Sequence, residues 1–139
     1  MDTTAGAREL EAVRQRRAEL SDTLDALRRS LADPASDLAP ELDRLASDFA
    51  LHVEVTEGPD GLHQAILAGD LRLANQVQVL AKEHGEIAAE IAAAVAATVS
   101  AEPPSREAVS ALLDRIVRHR EQGATLIREA YQTDIGGGD

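Results

Sequence analysis

The chain has 139 residues, 44% of them hydrophobic but only 1% aromatic, which suits one compact domain packed through small aliphatic side chains. Its 25 acidic and 14 basic residues leave a net charge of −11, so we expect no nucleic-acid partner and no binding to an anionic membrane. The absence of cysteine excludes disulfides, thiolate metal sites and cysteine nucleophiles.

The N-terminal segment lacks the basic start and the apolar run that a signal peptide requires. No apolar stretch of the sequence approaches the length of a membrane-spanning helix, since the longest one is short and rich in alanine. We therefore expect a cytoplasmic protein.

Three segments rich in proline, glycine, serine and aspartate divide the chain, at 33–37, 58–61 and 100–105. Between them the apolar residues recur at steps of three and four, which is the helical period. This pattern predicts long helices over roughly 5–32, 38–56, 71–100 and 106–132, with a further short turn of helix at 62–69. Asp37, Asp70 and Ser105 are the predicted N-terminal caps of the last three long helices.

The short connections favour antiparallel packing of helices that are neighbours in the chain. We therefore predict an all-α, up-down-up-down antiparallel four-helix bundle over residues 1–133, followed by a flexible C-terminal tail at 134–139. The alternative is a long helical hairpin that completes its core by forming a dimer. The sequence contains no alternating pattern of the kind that predicts strands.

Each long helix carries an apolar seam that one strongly polar residue interrupts. At about 1.5 Å per residue, all four interruptions fall within about 3 Å of one level along the bundle. The spacing thus predicts a polar layer that consists of Arg17, His52, His84 and His119. The remaining histidine, His63, lies outside the seams and is predicted to be a surface or loop-packing residue.

Three imidazoles that converge from separate helices could bind zinc or a single iron. Arg17 opposes this interpretation, because its permanent positive charge disfavours a nearby cation unless carboxylates intervene. Glu83 and Asp48 flank the seams and could supply those carboxylates. In the alternative interpretation Arg17 takes the place of the metal, as a fixed cation that pairs with Glu83 or Asp48.

The segments FALHVEVTEG (49–58), LAKEHGEIAAEI (80–91) and RIVRHREQG (115–123) resemble the hemerythrin-like family, and the closing IREAYQTDIGGGD continues the resemblance. That family is a four-helix bundle with two irons in its core, bound by histidines of all four helices and by carboxylates one turn beyond some of them. The resemblance implies a metal site at His52, His84 and His119. Glu83 and Glu57 complete the candidate ligand set, although helical spacing turns Glu57 away from the centre.

The sequence also departs from the family pattern. Arg17 occupies the position of the first-helix histidine, and Thr56, next to Glu57, occupies that of a carboxylate. Gly123 follows His119 by one turn, and Ala88 stands where a second histidine of the third long helix would be. These departures imply a reduced site for one metal instead of two irons.

Other helical-bundle functions fit less well. A ferritin-like oxidase needs Glu-x-x-His motifs, and no acidic residue lies three positions before a seam histidine. A phosphotransfer domain needs an exposed histidine, whereas His119 lies on a seam. We expect a non-enzymatic protein that binds or senses a metal. The alternative is a metal-free interaction or adaptor protein whose partner is another protein or a second copy of the chain.

Overall fold

A computed structural model describes the backbone of residues 3–137 and the side chains of residues 7–131. Over this range the chain is helical and contains no strand, which confirms the predicted all-α four-helix bundle. In chain order the helices are α1 (Thr3–Ala32), α2 (Ala39–Glu57), α3 (Leu62–Gly69), α4 (Ala74–Ala97) and α5 (Arg106–Gly137). The short α3 is the predicted extra turn, and a 3₁₀ turn (Leu71–Leu73) leads from it into α4.

The predicted caps act at or near the helix starts. The Ser105 hydroxyl accepts a backbone hydrogen bond at the start of α5, and the Asp70 carboxylate accepts one at the start of the 3₁₀ turn. Asp37 accepts the N–H of Ala39 at 3.0 Å, but the residue in the cap position of α2 is Leu38, so the predicted cap was one residue early.

Two helix ends differ from the prediction. α4 stops at Ala97 instead of near Ser100, because the Ser100 hydroxyl bonds to the Ala97 carbonyl and a turn follows. α5 continues to Gly137, beyond its predicted end near Gln132, since no proline or glycine precedes Gly136 in this stretch. Gly138 and Asp139, the last residues of the predicted tail at 134–139, lie outside the described residues.

The apolar core consists of two clusters at different levels of the bundle. The first core cluster contains Leu20, Leu24, Leu27, Leu38, Leu42, Leu45, Phe49, Ile87, Ile91, Val109, Leu112, Leu113 and Ile116. The second core cluster contains Val13, Leu62, Ile66, Leu73, Val77, Leu80, Leu126 and Ala130. α1 and α4 enter the first cluster with their C-terminal halves, whereas α2 and α5 enter it with their N-terminal parts. Alternating helix directions would produce this distribution.

The predicted polar layer lies between the two core clusters. Three of the helices contribute residues to both core clusters, and in each of them one residue of the polar layer lies between the two contributions. This residue is Arg17 in α1, His84 in α4 and His119 in α5. In α2 the corresponding residue, His52, follows the last member of the first cluster, and α3 replaces α2 in the second cluster. The layer is therefore enclosed by apolar side chains above and below.

None of the helices in the described part of the chain combines the length and the apolar character that a membrane crossing requires.

The side chain of Arg106 links the start of α5 to the α1–α2 connection. Its guanidinium donates hydrogen bonds to four backbone carbonyls, at 2.8–3.4 Å, on Ser30, Leu31, Pro34 and Ser36. Because the last carbonyls of a helix have no partner within the helix, Arg106 supplies a donor to the end of α1, where the Ser30 carbonyl also accepts the N–H of Asp33. A guanidinium, with five donors in a fixed plane, suits this arrangement of acceptors.

We expect Arg106→Ala to lower the free energy of unfolding by about 1–3 kcal/mol, because several carbonyls lose a charged donor at once. Chemical denaturation measures the change. Arg28→Ala is the matched control: it removes an exposed ion pair with Asp114 and should cost less than about 1 kcal/mol. An equal loss in the two variants would contradict a structural role for Arg106.

Candidate metal centre

Three histidines meet in the polar layer, one each from α2, α4 and α5. His52, His84 and His119 are buried, with 6%, 2% and 3% of their surfaces exposed. One ring nitrogen from each lies within 4.8 Å of the other two. The structure therefore brings together the three histidines that the sequence placed at one level.

The spacing of these nitrogens fits one metal ion. If the three nitrogens are at most 4.8 Å apart, an ion placed at their centre lies at most about 2.8 Å from each nitrogen, which is 4.8 Å divided by √3. Zinc–imidazole bonds are about 2.0–2.1 Å long. Each ring would thus need to move by less than about 1 Å to coordinate an ion.

Two glutamates orient two of the imidazoles. Nδ1 of His84 lies 2.5 Å from Oε2 of Glu57, and Nδ1 of His119 lies 2.5 Å from Oε1 of Glu83. Because a carboxylate only accepts hydrogen bonds, Nδ1 carries the proton in both rings, and the Nε2 lone pairs stay available. In metalloproteins this carboxylate–histidine arrangement fixes the tautomer of a ligand and raises its basicity.

Glu57 and Glu83, both predicted as metal ligands, contact the histidines. The converging group consists of the three histidines without them, and each glutamate hydrogen-bonds Nδ1 of one imidazole. Their prediction as metal ligands stays a prediction. Glu57 reaches His84 from the last residue of α2, where the chain turns at Gly58. A Cβ atom on Gly58 would lie only 2.5 Å from the Glu54 carbonyl oxygen, so this tight turn requires glycine.

The expected ion pairs of Arg17 are not formed. Glu83 is bonded to His119, and Asp48 instead accepts a hydrogen bond from Thr23. Asp48 also lies 3.8 Å from the guanidinium of Arg44. Arg17 makes no hydrogen bond or ion pair within the part of the chain whose side chains are described. The alternative interpretation, in which Arg17 pairs with Glu83 or Asp48, therefore lacks its ion pair in this part of the chain, because Glu83 bonds to His119 and Asp48 to Thr23.

The surroundings of His52 leave one of its nitrogens without a partner. Its Nδ1 is buried and makes no hydrogen bond. The ring of Phe49 packs beside all three imidazoles, with centroid distances of 5.8–6.3 Å to the rings of His52, His84 and His119. The apolar ring closes the side of the histidine group that faces the first core cluster.

His63 is buried, which corrects its prediction as a surface or loop-packing residue. Its ring stacks on that of His84, with the centroids 5.8 Å apart and the planes 6° from parallel. His63 is buried because its helix, α3, packs against α1 and α2. The spacing of His63 from Ile66, one helical turn later, was the available signal that His63 shares the buried face of α3.

A small, partly open cavity of about 30 Å³ adjoins the histidine group. All four histidines line it, together with Arg17 and Arg120. Arg120 was not among the residues predicted for the polar layer. Its spacing in the sequence could have indicated that it faces the core. Arg120 lies seven residues after the buried Leu113 and seven before Ile127, which packs against the second core cluster.

Burial keeps the imidazoles neutral. Desolvation, with a smaller contribution from repulsion among the histidines, lowers the pKa of His84 to about 2, of His52 to about 3 and of His63 to about 4. Burial also lowers the pKa of His119, although hydrogen bonding to Glu83 acts in the opposite direction. Neutral imidazole is the form that binds metals, so little proton competition is expected at neutral pH.

No protein-family model matches this chain, and no curated protein or solved structure shows significant similarity to it. The resemblance to the hemerythrin-like family therefore stays a hypothesis.

We expect the metal-free protein to lose stability as the pH falls below about 6.5. The folded-state pKa values of these histidines lie below their ordinary value, so the unfolded chain binds more protons in this range. Each such histidine then lowers the free energy of unfolding by up to about 1.4 kcal/mol per pH unit, until the pH approaches its folded-state pKa. Chemical denaturation with a chelator present, between about pH 7 and 5, measures the slope.

His84→Leu should reduce that slope by the share of one histidine. Ile91→Val is the control: it removes a buried methyl group and should cost about 1 kcal/mol at every pH without altering the slope. Parallel pH profiles for the parent protein and His84→Leu would mean that His84 titrates alike in the folded and unfolded chains.

Proposed function

We propose that this protein binds a single metal ion through His52, His84 and His119, and that its role is to bind or sense this metal and not to catalyse a reaction. The observation that carries the proposal is the convergence of three buried, neutral imidazoles within 4.8 Å of one another. Two of them have Nδ1 hydrogen-bonded to a carboxylate, which is the usual arrangement of histidines that bind a metal through Nε2. Nδ1 of His52 also supports the proposal, because it is buried and has no hydrogen-bond partner in the described part of the protein.

The donor set favours zinc or iron. Imidazole suits zinc, copper, iron and nickel, and a site of three histidines with a free position is typical of zinc bound together with water. A two-iron centre has less support, because it needs carboxylates that bridge the two ions. Glu57 and Glu83 each hydrogen-bond a histidine instead. When bound, such a metal would supply a Lewis-acidic position inside an otherwise apolar bundle.

The rival function is a metal-free interaction or adaptor protein in which Arg17 plugs the site. Its weakness is that Arg17 lacks the ion pairs that would let it organise the layer: neither Glu83 nor Asp48 contacts it, and both have other partners. Burial is the main cause that lowers the pKa of Arg17, so its environment does not stabilise the charge. A protein that never binds metal would make this rival the better interpretation.

We expect the protein, purified without an affinity tag, to contain about one zinc or iron per chain. A chelator should lower its melting temperature, since a metal at a hundred times its Kd adds about 2.7 kcal/mol, or roughly 8 °C for a domain of this size. Elemental analysis and thermal unfolding measure both effects. His119→Gln should lose the metal and the response to chelator.

His63→Gln is the matched control, because His63 is equally buried and touches the site but is not one of the three converging ligands. It should retain the metal. Loss of metal in both variants would point to general damage of the layer, and a metal-free parent that takes up neither zinc nor iron would refute the proposal.

Glu57→Gln and Glu83→Gln should each weaken metal binding by about 10–100-fold and leave the bundle folded. The glutamine carbonyl still accepts the imidazole N–H, but the charge that raises the basicity of the ligand is gone. Competition with a chromophoric chelator measures the affinity. Glu86→Gln, which removes only a surface partner of Arg115, should bind metal like the parent, and equal affinities in all three variants would contradict the assigned role.

A further inference from the structure

The cavity beside the histidines has a one-sided charge. Two arginines line it, Arg17 from α1 and Arg120 from α5, and no aspartate or glutamate does. This contrasts with the whole chain, in which acidic residues outnumber basic ones by 25 to 14. A cationic lining in so acidic a protein calls for a specific explanation.

Neither arginine has a partner among the residues whose side chains are described. Nε of Arg120 is buried and makes no hydrogen bond, and Arg17 forms no ion pair. Several arginines nearer the surface do have acidic partners: Arg16 pairs with Glu19, Arg28 with Asp114 and Arg115 with Glu86 and Glu90. Arg17 and Arg120 differ from the unpaired exposed arginines because they line a cavity in the bundle. Both arginines are half-buried. A charge that is partly removed from water and has no partner is unfavourable, and a counter-ion is the usual solution.

The dimensions of the cavity limit that counter-ion. A volume of about 30 Å³ holds about two or three water-sized spheres. Phosphate and sulfate, with five heavy atoms each, are too large for it. A planar anion of three heavy atoms fits, and two oxygens on one atom match the paired N–H groups of a guanidinium.

We propose that this cavity binds a small monovalent oxyanion of the formate or nitrite class, held between the guanidinium groups of Arg17 and Arg120. The site is formed by the chain's own cations and so does not require a metal. When a metal is bound to the three histidines, the anion would lie next to it and offset the repulsion between the ion and Arg17.

Titration of the chelator-treated protein with sodium formate tests the proposal without any metal. Isothermal titration calorimetry and melting temperature are the measurements, with the ionic strength kept constant by sodium gluconate, whose anion is too large to enter. We expect saturable binding of formate and a rise in melting temperature. Loss of one charged donor should weaken binding at least about tenfold in Arg17→Gln and in Arg120→Gln.

Arg118→Gln is the control, since Arg118 is an exposed arginine of the same helix, and it should bind formate like the parent. In gluconate alone, Arg17→Gln and Arg120→Gln should melt no lower than the parent, because each removes an unpaired, half-buried charge. Absence of saturable binding, equal binding in all variants, or an equal response to phosphate would overturn the proposal. A protein that binds formate but no metal would refute only the proposed metal function.

Discussion

The histidine layer dominates the chemistry of this bundle because each buried imidazole carries both a hydrogen-bond donor and an acceptor. Glu57 and Glu83 take the donors of His84 and His119, and no other described residue takes their acceptors. One ring nitrogen of each of His52, His84 and His119 lies within 4.8 Å of the other two, and the apolar side chains of the two core clusters offer these nitrogens no proton donor. A metal ion or ordered water satisfies such a set, and protonation does not, because burial strongly opposes the imidazolium form.

The bundle and the membership of its polar layer could be predicted from sequence because both follow from helical geometry. The steps of three and four residues locate the seams, and the rise per residue places Arg17 level with the three histidines. The partners of the layer were not predictable in the same way. Whether Glu83 bonds to His84 or to His119 depends on side-chain reach between helices, which periodicity does not encode.

The burial of His63 shows the same limit in another form. Its own helix is short, and only the docking of that helix beside α1 and α2 brings the ring onto His84. Helix ends were similarly uncertain: α5 runs on to Gly137 because nothing in its sequence stops it earlier. Local pattern therefore determines which residues are helical and which face is apolar, while contacts between elements determine the site.

The two proposals together remove the main objection to a metal in this core, which is the charge of Arg17. A divalent ion at the three histidines would add two positive charges beside Arg17 and Arg120, which line the adjoining cavity. A small anion between the guanidinium groups lowers that excess and also fills the space beside the ion. The arginine then serves as the partner of an anion, and it need not exclude a cation.

The polar layer also sets the alignment of the helices along the bundle axis. Seams of leucine, isoleucine and valine are nearly interchangeable from turn to turn, so one helix displaced by a turn, about 5.4 Å, would still find apolar neighbours. The same slip would separate Glu83 from His119 and leave the buried His119 ring without this partner. A few polar contacts thus select one helix alignment among several of similar hydrophobic energy, much as a single buried asparagine does in a coiled coil.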